Sequence, residues 1–265
     1  MKNCLTIAGS DCSGGAGIQA DLKTFSALGC YGMSAITSVV AENTERVISS
    51  MTVSPDTISD QLEAVFSDIP VHAVKIGMLP DAGTMRAVQS ALLKYRPDIV
   101  VCDPIIAATS GTELMQGSAM GAFKSGIIPL CSLITPNIPE AEQLLGCKIE
   151  SFTDIKAAAL SLFAYGAEAV LIKGGHLTGD AVDLLLDGKE FRTYSCPRIS
   201  SKSTHGTGCT LSSAITAFLA QGKPLTEAVG LAKEYLTGAI EHGLDIGHGF
   251  SPTNHFYRLL PETGE

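Results

Sequence analysis

Apolar residues along this chain follow two alternating spacings. Short runs rich in β-branched residues read as strands: "CLTIAG", "SAITSVVA", "VISSMTV", "AVKIGM", "DIVVCDP", "LITPN", "AVLIKGG", "DLLLDG" and "EFRTYSC". Most are continuously apolar, as expected of strands buried on both faces. Between them the spacing becomes helical. Ile18, Leu22 and Phe25 recur at i, i+4, i+7; Ile58, Leu62, Val65 and Phe66 form a second stripe, Leu211, Ile215, Phe218 and Leu219 a third. A longer one runs through Leu225, Val229, Ala232, Leu236 and Ile240. Strands alternating with helices predict an α/β sandwich, its mostly parallel sheet covered on both faces through right-handed crossovers. The segment Asp183 to Tyr194, joined at "DGK", departs from that pattern and reads as a hairpin.

A chain of 265 residues, 45% hydrophobic, with no linker, repeat or charge block, is expected to form one domain over residues 1–265. The net charge of −9 and scattered Lys and Arg residues deny phosphate-backbone binding its electrostatic footprint, so nucleic acid is excluded as a partner. The first apolar run is too short for a signal peptide and none approaches a membrane span; a soluble cytoplasmic protein is expected. Eight cysteines include no C-x-x-C pair, and no His-x-x-x-His accompanies them, which argues against structural zinc. Cys4 and Cys102 lie in apolar runs, where a free thiol acts as a small hydrophobe in a reducing compartment. The tail "PETGE" is expected to fray.

In sheets of this kind, ligands bind beyond the carboxyl ends of the strands. Those ends carry "GSDCSGGAG", "AENT", "KIGM", "DPIIAATSG", "TPNIPEAE" and "KGGH". In "HGTGC", Gly206 and Gly208 let the backbone approach an anion, and the helix starting near Cys209 aims free N–H groups at the same point. A helix N-terminus also lowers a thiol's pKa from about 8.5, so Cys209 is either a reactive thiolate or core filling. No Walker A loop is present, and the turn does not follow strand one as a dinucleotide fingerprint does. "GSDCSGGAG" is a second glycine turn, leading into a helix whose Asp21 would complement the helix dipole. Glu42 follows an apolar strand: either a solvated loop residue or an acceptor for an amino group and a protonated ring nitrogen. Asn137 and Glu140 have capping-box spacing, though the carboxylate also suits the water shell of Mg²⁺, with Asp103 as a second candidate. Lys173 ends a buried strand and needs a counter-charge, such as a nucleotide phosphate, unless its tip escapes to the surface.

Together, "AGSDCSGGAGIQADLKT", "AENT", "KIGML", "DPIIAATSG", "TPNIPEAEQL", "KGGH" and "HGTGCTLSSAI" resemble the bacterial hydroxymethylpyrimidine and phosphomethylpyrimidine kinases of thiamine biosynthesis, within the ribokinase-like superfamily. The resemblance runs in order from Leu5 to His255 and implies a three-layer α/β/α sandwich. It implies ATP-dependent phosphorylation of 4-amino-5-hydroxymethyl-2-methylpyrimidine, first to the monophosphate and then to the diphosphate, in one site. By resemblance Glu42, Asp21 and Met78 face the pyrimidine. Gly206, Thr207 and Gly208 surround the transferring phosphate, Lys173 and Asn137 serve ATP with Thr207, and Asp103 and Glu140 serve Mg²⁺. Cys209 stands where the wider superfamily has an aspartate general base, which implies that it takes the proton of the substrate hydroxyl. Thr109 stands where many pyrimidine kinases carry lysine. A kinase of pyridoxine, pyridoxal and pyridoxamine is the alternative within the same fold. The resemblance also implies a homodimer, and the segment Ile105 to Gly111 is a candidate flap.

Overall fold

The computed structural model describes residues 1–107, 111–174, 180–188 and 190–259. Thr109, part of the candidate flap and the tail "PETGE" lie outside the described residues. One nine-stranded sheet runs through the molecule in the order β3-β2-β1-β4-β5-β6-β7-β8-β9. Its members are β1 (Lys2–Asp11), β2 (Cys30–Glu42), β3 (Val47–Thr52), β4 (Ala73–Ile76), β5 (Val100–Cys102), β6 (Leu133–Ile134), β7 (Ala169–Ile172), β8 (Ala181–Asp187) and β9 (Glu190–Cys196). The central six are parallel; β3 joins β2 antiparallel at one edge, while β8 and β9 add antiparallel to β7 at the other. The expected hairpin is the β8–β9 pair, with Asp187 opposite Glu190.

Side chains alternate across this sheet, and each face has its own core. Val100 and Cys102 of β5 join a cluster with α2 (Pro55–Asp68) and α3 (Ala82–Tyr95), as do Val170 and Ile172 of β7 with α5 (Ile138–Leu145) and α6 (Phe152–Phe163). Val101, Ala169 and Leu171 point the other way, against α7 (Thr207–Ala220) and α8 (Leu225–Glu241). Phe25 of α1 (Gly17–Ala27) packs on that second side. The result is the three-layer α/β/α sandwich expected.

Two local features differ from the hydrophobic spacing. "VISSMT" is exposed along almost its whole length, β3 being the edge strand of the sheet. Helices α3 and α6 add to the four stripes read from the sequence: Met85, Val88 and Leu92, and Ile155, Ala158 and Leu162, face the core, and caps set their starts. The Asp81 side chain accepts from Thr84 N–H at 2.7 Å, and Ser151 with Asp154 forms a capping box. Between β5 and β6 the chain winds through a single α turn, α4 (Met120–Ala122), flanked by tighter and wider helical turns over 117–130.

Candidate active site

The parallel strands deliver their carboxyl ends to one cleft of about 550 Å³. Gly9 and Ser10 come from β1, Glu42 from β2, Met78 from beyond β4, Asp103 from beyond β5, Asn137 from beyond β6 and Lys173 from beyond β7, with Thr204 to Cys209 closing the far wall. A groove of about 660 Å³ between β9 and α8 holds none of these residues. Its cations are already paired, Lys233 with Asp183 at 2.6 Å and Arg258 with Glu234 at 3.2 Å.

The turn "HGTG" is built to approach an anion. Gly206 caps α7 with φ +77°, and a Cβ there would lie 1.9 Å from the Gly15 carbonyl oxygen, so only glycine fits. A Cβ on Gly208 would reach 3.0 Å from Asp103 Oδ2 and 3.3 Å from Lys173 Nζ, filling the cleft between the turn and these charges. Thr207 opens α7, its hydroxyl donating to the Thr204 carbonyl at 3.1 Å. Cys209 sits in the same first turn, nearly solvent-free. Here the structure corrects the sequence: the thiol is not lowered but pushed up to about 12. Burial is the main cause, with the Asp21 and Asp103 charges adding to it; Lys75 and the Gly17 N–H oppose it without prevailing.

On the opposite wall Lys173 meets its counter-charge within the chain. Nζ lies 2.6 Å from Asp103 Oδ1 and 3.9 Å from Glu140 Oε2, and Thr135 donates to the same Asp103 oxygen at 3.0 Å. Asn137 and Glu140 form the capping box of α5: Glu140 N–H donates to Asn137 Oδ1 at 2.8 Å and Asn137 N–H to Glu140 Oε2 at 2.7 Å. Burial and the Asp103 charge push Glu140 up to about 7, against Lys173 and the Asn137 N–H. Asp103 and Glu140 face the same lysine, and the two carboxylates form a hard oxygen donor set that suits a divalent cation.

At the other end of the cleft, Glu42 is half-buried and raised to about 7, first by burial and then by Asp11, while His205 lowers it. Met78 borders the same space; a Cβ on Gly9 would come within 2.9 Å of its sulfur. Asp21 is the one expected residue absent from the lining. It is fully buried below, accepting from Thr6 at 2.6 Å and Lys75 at 2.9 Å on Oδ2 and from Ser213 at 2.7 Å on Oδ1. Nor does it complement the dipole of α1, since that helix starts at Gly17 with no acid in its first turn.

Three residues went unnoticed in the sequence. Lys75 is fully buried in β4; desolvation works against its charge, and Asp21, by charge and hydrogen bond, leads the neighbouring groups that together outweigh it; a lone cation in "AVKIGM" was the available signal. Asp11 and His205 are the other two. The Asp11 carboxylate takes Ser13 N–H and Oγ on Oδ1, and Gly15 N–H, Ala16 N–H and His205 Nε2 on Oδ2, all within 2.7 to 2.9 Å.

The model of the family described as Phosphomethylpyrimidine kinase matches residues 11–254. The chain is 51% identical over 252 residues to the Thiamine biosynthesis bifunctional protein ThiED of Geobacter sulfurreducens, covering 95% of this chain but 51% of that protein, about half its length. It is 46% identical to the hydroxymethylpyrimidine/phosphomethylpyrimidine kinase of Haemophilus influenzae, over 97% of each chain. Among solved structures, a phosphomethylpyrimidine kinase from Clostridium difficile 630 superposes with a TM-score of 0.82 at 47% identity, covering 91% of this chain and all of the other. The Bacillus subtilis pyridoxal kinase in an ADP complex gives 0.90 at 38% identity, covering 97% and 98%.

Proposed function

The chain belongs to the phosphomethylpyrimidine kinase family, and from that premise we propose that its cleft phosphorylates 4-amino-5-hydroxymethyl-2-methylpyrimidine twice, at the expense of ATP. The observation that carries this reading is the spacing of two chemistries in one cleft: a half-buried carboxyl, Glu42, at one end and a glycine turn backed by Lys173 at the other. Glu42 takes the amino group and adjacent ring nitrogen of the pyrimidine, with Met78 along its face. The hydroxymethyl oxygen then points toward the phosphate turn.

Phosphoryl transfer needs alignment and charge stabilisation more than covalent help. Lys173 and the N–H groups at the start of α7 receive the charge of the transferring group, and Gly206, Thr207 and Gly208 let it come close. Asn137 borders the nucleotide end. Mg²⁺ fits the Asp103–Glu140 pair, where it would neutralise polyphosphate charge. Cys209 meets the substrate as a thiol. It therefore relays a proton rather than waiting as a base: sulfur accepts the hydroxyl proton while its own passes to a phosphoryl oxygen. In the second transfer the nucleophile is a phosphate oxygen, already ionised near neutral pH, and this relay is not needed.

No helix among the described residues is long and apolar enough to cross a membrane. A homodimer is proposed from the family likeness, with the exposed apolar edge at Ile48 and Met51 as its contact; light scattering tests it.

The deciding experiment is product analysis by mass spectrometry with ATP, Mg²⁺ and equal concentrations of the pyrimidine alcohol, its monophosphate, pyridoxine and pyridoxal. Pyrimidine diphosphate supports the proposal. The fold likeness to a pyridoxal kinase makes B6 alcohols the second reading, and their phosphorylation without any pyrimidine product would replace the first.

A further inference from the structure

Asp11 ends β1 and His205 opens the phosphate turn, and the 2.9 Å bond between His205 Nε2 and Asp11 Oδ2 joins two loops that both border the cleft. The joint is tight. A Cβ on Gly15 would lie 2.3 Å from the imidazole ring, and the main chain of His205 is fixed from behind by its N–H on the Ser251 carbonyl at 3.1 Å. One heteroatom each of Asp11, Glu42 and His205 falls within 4.8 Å of the others. The cluster is not a cation cage, since both oxygens of Asp11 are already occupied by protein donors.

We propose that His205, clamped by Asp11, is a positioning residue that ties the pyrimidine edge at Glu42 to the phosphate turn and sets which protonation state of Glu42 the substrate meets. This rests on the assignment of Glu42 to the pyrimidine edge. The groups facing Glu42 are Asp11 from β1, His205 from the turn before α7, and the Cys12 thiol, which donates to the Glu42 main-chain oxygen at 3.1 Å. The groups facing His205 are Asp11 and Glu42; the loop at Gly15 and the segment at Ser251 and Pro252 meet it without charge.

The consequence for recognition is a proton count. An aminopyrimidine edge offers an amino donor and a ring-nitrogen acceptor, so a carboxyl and a ring sharing one proton between them are complementary. An ionised Glu42 against a neutral ring sets lone pair against lone pair. Burial first and Asp11 next draw Glu42 up to about 7, and the imidazolium of His205 draws it down against them. Asp11 and Glu42 in turn hold His205 above the ordinary imidazole value.

The test is the pH profile of kcat/KM for the pyrimidine alcohol, whose alkaline limb reports Glu42 in the free enzyme. His205→Gln keeps a donor for Asp11 and removes the charge. The limb is expected to move up by about one pH unit, the lower end of what an opposite charge ~4–6 Å away produces. A limb that superposes on the wild-type profile overturns the proposal. Glu42→Gln run in parallel is expected to abolish the limb; a limb that persists belongs to another group, and the assignment of Glu42 fails first. Should His205→Gln not fold, NMR titration of the His205 imidazole in the unaltered protein decides. It is expected to stay protonated above the ordinary imidazole value, and titration at or below that value overturns the proposal.

Discussion

Lys75 and Asp21 form a 2.9 Å ion pair between two side chains that solvent does not reach at all. Thr6 and Ser213 complete the shell of the carboxylate, and the Lys75 charge opposes the rise in the thiol pKa of Cys209. Lys75→Met leaves a buried carboxylate without its cation, a loss of about 3–5 kcal/mol. At roughly 2–4 °C per kcal/mol for chains of this order, thermal melting is expected to fall by about 10 °C. Lys75→Met with Asp21→Asn, which removes both charges, is expected to recover part of it. A single variant melting within about two degrees of wild type would show that the pair is not structural.

Cys209→Ala is expected to slow phosphorylation of the alcohol by about 10²–10⁴-fold, the usual worth of a proton-transfer group. Phosphorylation of the monophosphate should suffer less. Cys209→Ser, which can still accept and donate a proton, should retain more first-step activity than Cys209→Ala. Steady-state kinetics on each substrate alone measure this, and equal losses in both steps would reduce Cys209 to a spacer.

Glu42→Ala is expected to raise KM for the pyrimidine by about 10–100-fold, corresponding to the ~1.5–3 kcal/mol of a hydrogen bond to a charged group. Its effect on pyridoxine should be smaller, since that ring presents a hydroxyl at the edge concerned. An unchanged pyrimidine KM would move the substrate edge elsewhere in the cleft.

The same residue carries a stability cost that depends on pH. Glu42 is raised from an ordinary 4.5 to about 7 in the folded chain, so folding favours its protonated form. That contribution is fully present below the unfolded value and is lost as pH rises through about 7. Glu42→Gln is therefore expected to melt higher than wild type at pH 8 and level with it at pH 4. Discounted for solvent screening at the half-exposed rim, the gain is of order 1 kcal/mol, or ~2–4 °C. No difference between the two pH values would mean that the carboxyl is solvated as in the unfolded chain.

Gly206→Ala combines a positive φ with a Cβ that would strike the Gly15 carbonyl, whereas Gly222, at φ +88°, has nothing within 4 Å of the added atom. Gly222→Ala is expected to cost only the left-handed backbone strain, about 1 kcal/mol. Gly206→Ala should cost more and also lower kcat, because the turn must shift. Equal stabilities and undiminished turnover in Gly206→Ala would show that the turn has room to spare.

Strand runs and glycine turns were legible in the sequence because each is a local signal. "DIVVCDP" reads as a buried strand, and "TPNIPEAE" carries both halves of its capping box within four residues. Edge status was not legible, since "VISSMT" reads like its neighbours until the sheet order places it at the edge. The role of Asp21 was misread for a related reason: its partner Lys75 lies 54 residues away and its partner Ser213 lies 192 away. The thiol of Cys209 was misread because a helix terminus is visible in sequence, while the burial that outweighs it is a property of the packed molecule.

The bond from His205 to Asp11 spans 194 residues, and that from Lys173 to Asp103 spans 70. Sites closed by such distant pairs cannot assemble before the sheet between them has done so, because the chain entropy of the large loop must be overcome first. Phosphoryl transfer is thus a late property of refolding. After dilution from denaturant, helical signal returns first and catalytic turnover last, and enzymatic activity becomes a reporter for the final closure of the chain.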